Sequence, residues 1–249
     1  MGRGAVREAI EITRAGGCVT ARIAGAGARP KLGSPGANRL LDLFEQVEDD
    51  ESIRMLALTG TGRWFCGGFG DDVDPRLVES LAAISKPTVA IINGDAIDEG
   101  LELALAADLR VAIGRARFAL TQLARGALPH FGGTQRLPRI AGAANALRMI
   151  LTGAAIDGAE ARRIGLVTYL AGSERELAKV AGALAEAIVS RAPLAARLVK
   201  DAVLKGYDMT LEQGVRLEED LYALLQTTAD RGEGVRAFLD KRKPLFRGA

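Results

Sequence analysis

Four carboxylates, Asp95, Asp98, Glu99 and Glu102, stand within ten residues in the stretch NGDAIDEGLELALAADLRVA (residues 93–112), whose other residues are mostly apolar. Acidic residues near a helix start commonly cap its exposed N–H groups and meet the favourable end of the helix dipole, and Asp95 and Asp98 are read in that way. Glu102 falls one turn further on, in a run of Leu and Ala that reads as buried nearly all round. An unpaired carboxylate there is costly, which favours a functional role for Glu102. Asp98 or Glu99 is a further candidate acid: carboxylates sharing a dry pocket repel one another, so one becomes a proton donor.

A second constellation is the loop GTGRWFCGGFG (residues 60–70), which mixes glycines with Trp64, Phe65 and Phe69. Such a loop can approach a ligand closely and offer bare backbone N–H groups. It follows one apolar strand, and a second strand runs into Asn93–Gly94 and the helix that starts near Glu99. Two strand ends of this kind bring N–H donors side by side, a geometry suited to an enolate or another oxyanion. The loop AGAGAR (residues 24–29) lacks the third glycine of a dinucleotide fingerprint and is interrupted by Pro30, so it reads as a plain turn.

The elements that must position these groups alternate in the first half of the chain. Strands are expected at residues 18–23, 53–59, 87–92 and 109–113, and helices at 36–47, 75–84 and 99–107. That pattern gives an α/β layered domain with largely parallel strands. The second half is mostly helical. Helices are expected at 132–140, 143–151 and 158–164, the last with Asp157 as N-cap and Gly165 as its stop, then a short strand near 166–170. From Glu174 the pattern is helical to the end, broken by Pro193 and by a turn around Gly206.

At 249 residues and a net charge of +2, the chain fits one large domain and carries no field that would draw in nucleic acid or an anionic membrane. Cys18, Cys66 and the single histidine, His130, form no metal-binding pattern. The N-terminus lacks the apolar run of a signal peptide, and Val6 stands where a myristoylation pattern needs Ser or Thr. No run reaches the length of a membrane span, and a cytoplasmic location is expected.

The runs KPTVAIINGDAIDEGLELALAADLRVA, ARFALTQLARGALPHFGGTQRLPRIAG and MILTGAAIDGAEARRIGLV, with the tail SRAPLAARLVKDAV and FLDKRKPLF, resemble the enoyl-CoA hydratase/isomerase (crotonase) family. The resemblance covers nearly all of the chain from about Cys18. It implies an α/β crotonase-like β-β-α spiral core over 1–190 and a C-terminal helical trimerisation region over 191–249. It further implies a homotrimer or dimer of trimers and acyl-CoA thioester substrates of fatty acid metabolism, with coenzyme A entering as part of the substrate and no separate cofactor.

Carried onto this chain, the family's oxyanion donors fall on the N–H of Phe69, after Gly68, and on that of Glu99, before Gly100. The first of the family's two glutamates is Glu102, which the resemblance makes the general base. The second is replaced by Gln122, and the usual three-glycine run is here Asp98–Glu99–Gly100. Tyr222, Phe238 and Lys241 align with positions that contact coenzyme A across a subunit boundary. Residues 72–86 are shorter than in most relatives, which suggests a more open acyl pocket or one completed by a neighbouring subunit. His130 is read as a surface loop residue or a shaper of that pocket. The implied activity is hydration of a 2-enoyl-CoA. Isomerisation, decarboxylation or thioester hydrolysis is the alternative chemistry, and a member that binds CoA without catalysis is the alternative class.

Overall fold

A computed structural model describes residues 10–24 and 28–249. Val6 and the N-terminal stretch read above for targeting signals, and the centre of the AGAGAR turn, lie outside the described residues.

The core is a six-stranded sheet. β1 (Ile10–Ala15) and β2 (Cys18–Ile23) form an antiparallel hairpin through a two-residue Gly16–Gly17 turn. Beyond β2, the strands β3 (Met55–Thr59), β5 (Thr88–Ile92), β7 (Leu109–Ile113) and β9 (Tyr169–Ala171) add in parallel, in the order β1-β2-β3-β5-β7-β9. β3, MLALT, is buried at every position, as expected for an inner parallel strand covered on both faces. A second, three-stranded parallel sheet stacks β4 (Trp64–Cys66), β6 (Asp95–Ile97) and β8 (Phe118–Ala119).

Helices fill the returns. α1 (Ser34–Asp49) buries Leu40, Leu43, Phe44 and Val47 along one stripe, and α2 (Arg76–Ala83) buries Leu77, Val78 and Leu81. α3 (Glu99–Ala106) differs, since every residue after Glu99 is buried. α4 (Gly133–Ala141), α5 (Ala143–Thr152) and α6 (Gly158–Arg163) follow, and the Asp157 side chain caps α6 as the sequence implied. α7 (Glu174–Val189) lies against the sheet. α8 (Pro193–Gly206), α9 (Leu211–Gln226) and α10 (Ala229–Leu239) complete the chain. The repeated β-β-α core and the helical C-terminal region match the fold expected from the resemblance.

Two expectations change. β1, β4, β6 and β8 are strands that periodicity did not show, and the strand expected at 166–170 lies instead at Tyr169–Ala171. Asp95 is not at a helix start: it sits in β6 and accepts the Arg117 N–H at 2.9 Å.

α3 meets the end of β4 backbone to backbone. A Cβ on Gly100 would run into the Cys66 carbonyl, so only a glycine lets the helix start this close to the loop that carries Phe69. Gly100→Ala should therefore cost about 1–3 kcal/mol or more, because peptide backbone cannot swing aside as a flexible side chain can. Gly182→Ala, in α7 with nothing within 4 Å of the added carbon, should instead gain about 0.5–1 kcal/mol. Urea unfolding of the two variants against the parent measures both signs.

Candidate active site

Glu102, on α3, is fully buried at 0 % exposure. Its Oε1 accepts the N–H groups of Phe131 and Gly133, each at 2.8 Å, and its Oε2 accepts the Gln122 amide Nε2 at 3.2 Å. Gly133 opens α4, so the carboxylate faces a helix N-terminus whose unpaired N–H groups and dipole favour negative charge. Burial nonetheless prevails and pushes the Glu102 pKa up. The N–H bonds from Gly133 and Phe131 oppose that rise, and the nearby charge of Glu99 adds to it. One oxygen is thus clamped by backbone, leaving the other to an amide.

Gln122 opens a 3-10 turn (Gln122–Arg125) after β8 and is 2 % exposed. Its Nε2 is committed to Glu102, while its Oε1 is buried without a hydrogen-bond partner. A buried orphan acceptor beside a buried carboxylate is a place for a donor such as water or a substrate hydroxyl.

Phe69 and Phe131 pack edge to face with ring centroids 5.1 Å apart. Both rings are buried, and together they join the Phe69 loop to the segment that clamps Glu102. The exposed His130 lies against Phe131, ring centroids 4.3 Å apart. The Phe69 N–H donates to Glu99 Oε2 at 3.2 Å. Glu99 is the first residue of α3, where an N–H has no partner within the helix. Gly68, Phe69, Glu99, Gly100, Glu102 and Gln122 are therefore brought together by α3, β4, β8 and α4.

Asp98 does not cap α3. Its φ of 52° departs from the extended backbone of an ordinary N-cap, and its side chain makes no capping bond. It is 1 % exposed. Oδ2 pairs with Arg29 Nη2 at 2.6 Å and Arg125 Nη1 at 3.2 Å, and Oδ1 accepts the Thr121 N–H at 2.5 Å and its hydroxyl at 2.9 Å. Burial alone would push its pKa up, but the Thr121 N–H, the Arg29 guanidinium and the Thr121 hydroxyl outweigh it and hold the carboxyl below its ordinary value. Asp98 is consequently a fixed anion and a poor candidate for the missing proton donor. Arg29 also donates to the Gly67 carbonyl at 2.6 Å, which ties the Phe69 loop to the same hub.

Arg29, Thr121 and Arg125 were not singled out in the sequence. Only the adjacency of Thr121 to Gln122 hinted at any of them. Cys66 is buried beside the loop, and burial pushes its thiol up to about 11, well away from reactive thiolate chemistry. Tyr222 borders a separate cleft with Ala195, Leu225 and Phe246. Phe238 and Lys241 are exposed at the end of α10 and beyond it. Among the described residues, no hydrogen bond or ring contact links these three to the Glu102 site.

Comparisons with known proteins bear on the family and the fold. A sequence profile of the Enoyl-CoA hydratase/isomerase family matches residues 36–249. The (E)-benzylidenesuccinyl-CoA hydratase of Thauera aromatica is 40 % identical over 225 residues, covering 84 % of this chain and 88 % of that protein. The 2,3-dehydroadipyl-CoA hydratase of Escherichia coli (strain K12) is 36 % identical over 234 residues, covering 89 % and 91 %. The crystal structure of an enoyl-CoA hydratase from Bacillus anthracis superposes with a TM-score of 0.89 at 30 % identity, covering 97 % of this chain and all of the other. The chain belongs to the enoyl-CoA hydratase/isomerase (crotonase) family.

Proposed function

We propose that this protein binds acyl-CoA thioesters and hydrates a 2-enoyl-CoA, with Glu102 as general base and the N–H groups of Phe69 and Glu99 as oxyanion donors. The observation that carries this reading is the Glu102 carboxylate, buried in apolar surroundings with one oxygen held by two backbone amides and the other beside Gln122. Similar proteins named as hydratases of CoA thioesters support the substrate class.

The chemistry follows from the residues present. A water between Glu102 Oε2 and the orphaned Gln122 Oε1 would give one proton to the carboxylate and point the other at the amide oxygen. Its oxygen attacks C3, the double-bond electrons move onto the thioester oxygen, and the two N–H groups stabilise the enolate. An amide at 122 has no proton to give near neutral pH. The proton that Glu102 takes from water is then the one returned to C2, so a single carboxyl serves both halves of the addition. A partner subunit would complete the coenzyme A site through Tyr222, Phe238 and Lys241. The large apolar side chains left exposed on α8–α10, Val203, Leu211 and Leu239 among them, support a trimer-forming surface.

The engagement of the Phe69 N–H by Glu99 favours a second reading, in which the chain binds acyl-CoA without turning it over. Steady-state hydration of crotonyl-CoA separates the two. Glu102→Gln should lower the rate about 10²–10⁴-fold, the usual worth of a positioned proton-transfer group. Gln122→Glu should raise it by a similar factor, since it supplies a second acid. Absence of turnover in the parent protein, with tight binding of butyryl-CoA, would favour the second reading.

Glu102 also has a cost to the fold. Its folded pKa lies above the ordinary glutamate value of 4.5, so the folded protein holds this proton more firmly than the unfolded chain. Stability from that proton is fully present below the ordinary value and is lost as pH rises through the raised one. Glu102→Gln removes the ionisable group, and a flip of the Gln122 amide can satisfy the new one. The variant should therefore melt higher than the parent at pH 8, with the gap closing toward pH 4. Thermal unfolding followed by circular dichroism at several pH values reads this directly.

A further inference from the structure

Glu99 Oε2 lies 3.2 Å from the Phe69 nitrogen and 2.7 Å from the point where a Cβ on Gly68 would stand. An N–H donor makes one strong, near-linear bond. A thioester oxygen polarised by Phe69 must therefore take the place this carboxylate oxygen holds. The residue whose backbone N–H is the second proposed donor thus covers the first donor with its side chain.

Three observations mark the contact as displaceable. At 3.2 Å the bond is longer than the 2.7–2.9 Å typical of a charge-assisted N–H to carboxylate bond. Glu99 is half-buried, whereas Phe69, Glu102 and Gln122 around it are buried. Arg29 Nη2 is 3.9 Å from the same Gly68 point, so a cation stands close enough to receive the carboxylate when it swings away. Charge also opposes cohabitation. An enolate oxygen in the hole and the Glu99 carboxylate beside it are like charges at short range.

We propose that the Glu99 side chain is an intramolecular competitor for the oxyanion site, displaced by the thioester carbonyl toward Arg29, and that it thereby sets acyl-CoA affinity. This rests on the acyl-CoA reading above. It makes residue 99 a determinant of which ligands enter: only an acyl group whose carbonyl is seated well enough to replace a carboxylate gains access to both donors. A side chain of this length in place of a glycine also narrows the space between Gly68 and α3.

Calorimetric titration with butyryl-CoA, which has no double bond to hydrate, and kinetics with crotonyl-CoA test the idea on the parent, Glu99→Gly and Glu99→Gln. Removing the competitor should tighten butyryl-CoA binding about tenfold, the scale of one hydrogen bond to a charged group, and raise kcat/KM. Glu99→Gln, which keeps the length without the charge, should fall between. With ¹⁵N-phenylalanine labelling, the Phe69 amide resonance should shift when butyryl-CoA is added to the parent. In Glu99→Gly it should already be displaced before ligand is added. Glu99→Ala replaces the glycine variant if that one unfolds.

Unchanged or weaker butyryl-CoA binding in the variants, with binding intact in the parent, overturns the proposal. Loss of turnover at unchanged affinity also overturns it, because the carboxyl would then belong to the chemistry. If neither parent nor variants bind butyryl-CoA or turn over crotonyl-CoA, the acyl-CoA reading itself falls and this inference with it.

Discussion

Glu102 holds a carboxylate with no exposed surface, and the surrounding structure answers the desolvation this imposes. A bare anion in such a place would simply take up a proton. Here two backbone N–H groups at the start of α4 bond one oxygen, and Gln122 bonds the other. The glycines of the segment 132–133 let that backbone turn in close, and Gly100 lets α3 press against β4 so that the same helix places both Glu102 and the Glu99 N–H. The balance leaves the carboxylate with a raised pKa, a property that fits the proposed role of a proton carrier.

Asp98, four residues earlier, meets the opposite fate from nearly the same depth. Its partners are full charges as well as amides, and they hold it ionised. The difference separates two uses of a buried acid: one whose pKa burial raises, the other locked as a tether. The tether reaches three segments at once. Arg29 connects it to the carbonyl of Gly67, and Thr121 and Arg125 connect it to the turn that carries Gln122. Positions of both sides of the site relative to α3 therefore depend on one anion.

The long elements were legible because burial writes itself into runs of apolar residues: β2, β3, β5 and β7 and the helices α1–α6 lie within two residues of their expected bounds. β4, β6 and β8, at two or three residues, are too short to show any period, and β1 alternates on an exposed edge. At the site, Phe69, Glu99 and Gln122 were singled out through the family resemblance of the motifs that carry them, and Glu102 through that resemblance together with its apolar surroundings. The Asp98 hub was not, because its partners lie 69, 23 and 27 residues away and nothing local marks them. Helix-start statistics supplied a capping role for Asp98 in their place. They failed there because arginines and the Thr121 N–H offer that carboxylate more than the helix end does.

The Asp98–Glu99 pair is best understood as one change to the backbone with two consequences. A φ of 52° at Asp98 is a conformation that favours glycine, and a larger residue held there costs of order 1–3 kcal/mol. The ion pairs and the Thr121 bonds hold Asp98 there against that strain. The Glu99 N–H then stands at the start of α3, where it has no partner within the helix. The side chain that comes with it accepts the Phe69 N–H, and the Arg29 guanidinium stands near the same Gly68 point. Asp98 and Glu99 thus form a helix start that sets a carboxylate against the Phe69 N–H.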